Sequence, residues 1–238
     1  MNVEIYADAD SVARMAATIV AAEAREAIAA RGGFVMAVSG GRTPWLMLSA
    51  LAHEALPWEA VQIVQVDERV APQGDTDRNL THLQESLLGQ TSLRPEQIHA
   101  MPVEAPELEA AAAQYAVVLQ QIAGSPPVLD LVHLGLGPDG HTASLVPGDP
   151  VLDMTEADVA LTMVYQGRRR MTLTYPILNR SRRVLWLVTG KDKAEMVGRL
   201  YAGDSSIPAG RVHSDHALML ADRAAADQVH GVPKIKEA

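Results

Sequence analysis

Phe34-Val35-Met36-Ala37-Val38-Ser39-Gly40-Gly41-Arg42-Thr43-Pro44 is the stretch whose reading decides the fold. Five consecutive apolar residues mark a strand covered on both faces, since a half-exposed strand would alternate apolar and polar. The glycine pair turns the chain. Thr43-Pro44 then opens a helix, with Thr43 placed to cap it and proline at a favoured early position.

The same pattern recurs along the chain. Val61-Gln62-Ile63-Val64-Gln65-Val66, residues 128–134 and Val184-Leu185-Trp186-Leu187-Val188 read as further buried strands. Residues 158–165, 170–174 and 217–220 are weaker strand candidates. A helix capped at Asp10-Ser11 is stopped by Arg31-Gly32-Gly33, and others are expected over 79–88, 106–123 and about 192–201. Strands alternating with helices predict an α/β fold: three layers, a mostly parallel, doubly wound, Rossmann-like sheet with helices on both faces. No repeat or low-complexity linker divides the 238 residues. One domain over 1–238 is expected, with a small lobe inserted at about 150–182 and a polar tail at 227–238.

Composition narrows the function. The net charge of −9 argues against a general nucleic-acid binder, which needs a basic face. It leaves room for a small anion held by local cations, and Arg168-Arg169-Arg170 stands out against the acidic background. The absence of cysteine removes thiol nucleophiles, disulfides and thiolate metal sites. The N-terminus lacks a signal-peptide pattern, and no apolar run approaches the roughly 18 residues of a membrane helix. A cytoplasmic protein without membrane contact is expected.

Ligands of an open parallel sheet bind at the carboxyl ends of its strands. Four polar groups fall there: Ser39-Gly40-Gly41-Arg42-Thr43, Asp67-Glu68-Arg69, the turn Gly135-Leu136-Gly137-Pro138-Asp139-Gly140-His141, and Lys191 with Lys193. The first has the glycines and helix N-terminus of a phosphate cradle but not the spacing of a Walker loop. The third matches GxGxxG, so a dinucleotide-binding module is a competing reading. That motif opens a long helix, whereas Pro147-Gly148 interrupts this one. Among eight histidines, His141 alone has the local context of a catalytic base. His133 reads as a packed strand residue. His53, His82, His99 and His230 read as solvated or capping residues, and His213 and His216 as a surface turn.

Taken together, Ser39-Gly40-Gly41-x-Thr43-Pro44, Val66-Asp67-Glu68-Arg69, Asn79-Leu80, Gly135-x-Gly137-x-Asp139-Gly140-His141-Thr142-Ala143-Ser144-Leu145, Arg170-Met171-Thr172-Leu173-Thr174 and Val188-Thr189-Gly190 before Lys193 resemble the 6-phosphogluconolactonases. These belong to a wider group that includes the glucosamine-6-phosphate deaminases. The resemblance implies hydrolysis of 6-phospho-D-glucono-1,5-lactone, a step of the oxidative pentose phosphate pathway, with no metal or organic cofactor. It implies a small sugar-phosphate lactone as ligand and no obligate protein partner. The deaminases carry a carboxylate about five residues beyond the histidine, used in opening the sugar ring. Val146 stands there in this chain. Arg42 and Arg78 also depart from the group's usual small residue and serine.

On this reading His141 is the general base. Asp67 or Asp139 orients it, and glycine-turn N–H groups or Arg69 meet the oxyanion. The Gly40–Thr43 backbone, Arg170 and Lys193 hold phosphate, with Lys191 the alternative to Lys193. Ser39, Gly41, Arg42, Asn79 and Gly137 complete the expected substrate contacts. A protein that only binds or scaffolds is the remaining alternative, and the intact set of reactive residues argues against it.

Overall fold

The computed structural model describes residues 1–229; His230 and the rest of the expected tail lie outside the described residues. In chain order the elements are β1 (Asn2–Tyr6), α1 (Ala9–Arg31), β2 (Phe34–Val38), α2 (Arg42–Leu51), β3 (Val61–Gln65), β4 (Asp67–Arg69), α3 (Asn79–Ser86), β5 (Ile98–His99), α4 (Leu108–Ala123), β6 (Leu131–Leu134), β7 (Val159–Leu161), β8 (Arg170–Leu173), α5 (Tyr175–Arg180), β9 (Val184–Val188), α6 (Ala194–Tyr201) and β10 (Ala217–Asp222), with short 3-10 turns between them.

Seven strands form the main sheet in the order β1-β10-β9-β6-β2-β3-β5, and every pair in it is parallel. After β2 the chain steps outward to β3 and β5, then returns to place β6 on the other side of β2. Crossovers are right-handed, so this reversal sends the helices to opposite faces. Side-chain alternation supplies both cores. Phe34, Met36 and Val38 face the layer that buries Val12, Val20, Met47 and Leu48 of α1 and α2. Val35 and Ala37 face the layer that buries Tyr115, Leu119, Ile177 and Val197 of α4, α5 and α6. Trp186 is fully buried in the second layer, and truncating such a side chain costs about 3–5 kcal/mol.

A second, antiparallel sheet has the order β4-β8-β7. Val66 closes β3, its N–H donating to Val38 O at 2.9 Å, and β4 then leaves the main sheet to pair with β8. The stretch 150–182 supplies β7, β8 and α5, so part of it builds this small sheet. No described helix is long and apolar enough to cross a membrane.

Several local expectations differ from the structure. Asp8, not Asp10, caps α1, its side chain accepting the Ser11 N–H at 2.8 Å. Thr43 does not cap α2; the cap position is Gly41, and the Thr43 hydroxyl meets Thr189 Oγ1 at 2.6 Å. The expected strand 158–165 is continuous only over Val159–Leu161, and residues 162–168 form the tip of a hairpin in which Tyr165 bridges Arg168. His99, expected as a solvated or capping residue, lies in β5 with Nε2 2.7 Å from Gln62 Oε1.

Candidate active site

The reversal of strand order between β2 and β6 leaves a crevice at their carboxyl ends, where parallel sheets bind ligands. A cleft of about 620 Å³ opens there. Ser39 to Pro44 line it after β2, Gly135 to Pro138 with His141 after β6, and Thr189, Gly190 and Lys193 after β9. The small sheet closes it with Asp67, Arg69 and Arg170, and Asn79 adds the start of α3. Residues spread over more than 150 positions thus meet in one place. Lys191 is not among the lining residues, whereas Lys193 is.

His141 Nδ1 lies 2.5 Å from Asp139 Oδ1, which also accepts the His141 backbone N–H at 3.1 Å. The Tyr165 hydroxyl donates to Asp139 Oδ2 at 3.2 Å. Burial pushes the Asp139 carboxyl upward, but the His141 N–H, the His141 ring and Tyr165 outweigh it and hold the group below its ordinary value. It is therefore ionised at neutral pH. The turn itself is braced internally. Gly137 N–H donates to His141 O at 2.8 Å and Gly140 N–H to Gly137 O at 3.0 Å, so neither is free to meet an oxyanion.

Asp67 has other partners. It is buried, with Oδ2 accepting the Ser144 hydroxyl at 2.6 Å and Oδ1 lying 3.4 Å from Asn79 Nδ2. Asn79 Nδ2 donates to Asp67 O at 2.9 Å, and Asn79 Oδ1 accepts from Arg69. Asn79 thus fixes the Arg69 guanidinium at the cleft wall. Glu68 does not line the cleft. It is fully buried and accepts the N–H groups of Arg69, Asn79 and Leu80, each at 2.8 Å, two of them at the start of α3. Arg78 Nε sits 3.1 Å from Glu68 Oε2, an ion pair that falls short of hydrogen-bond geometry, while Arg78 Nη1 donates to Ala71 O at 2.8 Å. The unusual arginine before Asn79 is therefore the counter-charge of a buried acid.

The basic run sorts itself by partner. Arg168 is held by Asp75 and Asp77, at 2.9 and 3.1 Å, and Arg169 by Glu109 at 2.9 Å. Arg170 alone of the three is buried and lines the cleft. It stands directly opposite Arg69 across the β4–β8 ladder. Its Nε is buried without a hydrogen-bond partner among the described residues. Burial and then the Arg69 charge pull this guanidinium down from its usual value, against the opposing pull of Asp67. Like charges facing one another across strands are destabilising, and an anion between them would relieve the repulsion.

Ser39 and His133 support the glycine loop from below. The Ser39 hydroxyl donates to His133 O at 2.8 Å, and Ser39 N–H approaches His133 Nδ1 at 3.3 Å. Burial pushes His133 down to about 3, so its ring stays neutral and accepts at Nδ1. Four contributors carried no assigned role in the sequence reading: Tyr165, Ser144, Thr189 and Asp222. Asp222 ends β10 and receives Gly190 N–H on both oxygens at 3.1 Å. Ser144 and Thr189 had a visible signal, each lying within a quoted motif segment, whereas Tyr165 and Asp222 had none. His213 and His216 lie beside β10, away from the cleft lining.

The family described as glucosamine-6-phosphate isomerases/6-phosphogluconolactonase matches residues 7–220. The 6-phosphogluconolactonase of Synechocystis sp. is 36% identical over 209 residues, covering 86% of each chain. The structure of the 6-phosphogluconolactonase from Trypanosoma cruzi superposes with a TM-score of 0.85 at 21% identity, covering 96% of this chain and 97% of the other. A monomeric glucosamine-6-phosphate deaminase superposes with a TM-score of 0.82 at 22% identity, covering 96% of this chain and all of the other (100%). At such identities the superpositions show the fold alone, and it is shared by both chemistries.

Proposed function

The chain belongs to the family of glucosamine-6-phosphate isomerases and 6-phosphogluconolactonases, and from that premise we propose that it hydrolyses 6-phospho-D-glucono-1,5-lactone to 6-phospho-D-gluconate. The observation that carries this reading is the His141–Asp139 contact on the same cleft as Arg170, Lys193 and the glycine loop. A base for water and a grip for a remote phosphate are what a phosphorylated lactone requires.

Asp139 accepts from Nδ1, which leaves Nε2 of His141 to take a proton from water as the oxygen attacks C1. Such a base contributes about 10²–10⁴-fold. The carboxylate stabilises the imidazolium that forms, as in other hydrolases. Arg69, held by Asn79, faces the charge that develops on the carbonyl oxygen. When the tetrahedral intermediate collapses, the ring oxygen leaves and takes back the proton that His141 carries. The phosphate, bound by the Gly40–Thr43 backbone, Arg170 and Lys193, orients C1 toward the water without taking part in the chemistry. No covalent enzyme intermediate is needed, because a lactone is already a reactive ester.

Deaminase chemistry is disfavoured by Val146, which is buried and apolar at the place where the resemblance puts the ring-opening carboxylate. The test is an assay with freshly made lactone beside glucosamine 6-phosphate, following acid release and ammonia. Acid release alone is expected. His141→Ala should lower kcat by at least about 10²-fold while phosphate binding persists; a loss of only a few-fold would remove His141 from the base role.

A further inference from the structure

The hairpin joining β7 to β8 ends in Gln166-Gly167, with φ of 52° and 82°. Two successive positive values belong to the tight turn whose twist matches that of the flanking strands. Tyr165 and Arg168 exchange backbone hydrogen bonds across it, at 3.0 and 3.3 Å. Below them Thr162 N–H donates to Arg170 O at 2.9 Å, and Arg170 N–H to Thr162 Oγ1 at 3.1 Å. The hairpin's own hydrogen bonds therefore set where Tyr165 stands.

From that place its side chain reaches both halves of the site. The hydroxyl donates to Asp139 Oδ2, so the two carboxylate oxygens have separate partners and Oδ1 is left to His141. The ring meets the His141 ring edge-on, with centroids 5.8 Å apart. Its face lies 5.0 Å from the Arg170 guanidinium carbon, a cation–π contact, while Gln166 Oε1 accepts from Arg170 at 3.1 Å. A carboxylate with one loose oxygen can rotate about its last bond. A carboxylate held at both ends cannot.

We propose that Tyr165 is a positioning residue that ties the anion-binding Arg170 to the Asp139–His141 pair, its hydroxyl serving the chemical step and its ring serving phosphate affinity. The inference rests on the reading of His141 as the base. Tyr165→Phe keeps the ring and drops the hydroxyl, so kcat should fall about five-fold with KM unchanged. Tyr165→Leu drops both, so KM should also rise about three-fold.

A double-mutant cycle with Asp139→Asn separates this role from a general loosening of the fold. If the hydroxyl acts through Asp139, Tyr165→Phe has no further effect on kcat in the Asp139→Asn background. Equal losses in both backgrounds, or a Tyr165→Phe enzyme with wild-type kcat, would overturn the proposal. Inorganic phosphate titrated into each variant gives a second readout: Tyr165→Phe should bind it as the wild type does, Tyr165→Leu more weakly, and equal affinity in all three would also overturn it. His141→Ala keeps the two failures apart. If that variant is inactive while Tyr165→Phe is normal, only the positioning role fails; if it stays active, the base reading itself fails.

Discussion

Gly137 lacks a side chain because His141 stands where one would be. A Cβ there would lie 2.1 Å from His141 Nδ1 and 2.7 Å from Asp139 Oδ1. Gly40 is bare for a similar reason, since its Cβ would fall 1.9 Å from Asn79 Oδ1. In sequence both glycines read as places where backbone approaches an anion. The close approach at each is made by one of the protein's own side chains, and no local pattern reveals which one. Gly137→Ala should swing the imidazole off Asp139 and lower kcat by about 10²-fold, with KM for the lactone little changed. Steady-state kinetics beside a thermal melt check this: a full-rate enzyme would mean that the ring tolerates the displacement. The turn made His141, Asp139 and Gly137 stand out, because reactive residue types sit together at a strand end, whereas Arg170 stood out as part of a basic run in an acidic chain and by the family resemblance. Tyr165 and Asp222 did not, because only the folded chain brings Tyr165 to Asp139 and Asp222 to Gly190.

At the scale of elements, β4 and β8 set two arginines face to face. Antiparallel register puts Arg69 opposite Arg170 and Asp67 opposite Thr172, so one acid and two cations come to the cleft from a ladder only three residues long. The pairing is tolerable because Asn79 holds Arg69 and Gln166 and Tyr165 hold Arg170, and on the proposed function an anionic substrate would offset it further. Arg170→Ala should raise KM by about ten-fold or more with a smaller change in kcat. Inorganic phosphate should raise the melting temperature of the wild type and lose that effect in the variant. A variant with unchanged KM would place the phosphate elsewhere. The long buried strands could be read from continuous apolar runs such as Phe34–Val38. Asp67-Glu68-Arg69 could not, because three polar residues carry no period. The two-residue β5 and the six-residue α5 are likewise too short to show one.

At the scale of the whole molecule, β1 closes one edge of the main sheet by pairing with β10 from Asn2↔Leu218 to Tyr6↔Asp222. Sequence reading passed over this strand, although Asn2-Val3-Glu4-Ile5-Tyr6 alternates polar and apolar as a half-exposed strand does. Removing residues 1–7 would strip Tyr6, which is 1% exposed, from the core and bare the β10 backbone. The truncated protein should melt several degrees lower and self-associate, as unpaired edges do. Calorimetry and light scattering would check both; an unchanged melt would show β1 to be dispensable. The same edge steadies the cleft, because Asp222 ends the partner strand and grips the Gly190 turn that precedes Lys193.

The turn that carries His141, the glycine loop and Lys193 all hang from neighbouring strands β6, β2 and β9. Adjacent strands are about 4.8 Å apart, and hydrogen bonding makes that interval almost inelastic. The sheet is thus a ruler with its gradations built into the backbone. A sugar phosphate is gauged by the gap between its reacting carbon and its charged end. One carbon fewer, and a carbonyl whose phosphate is seated would stop short of the imidazole.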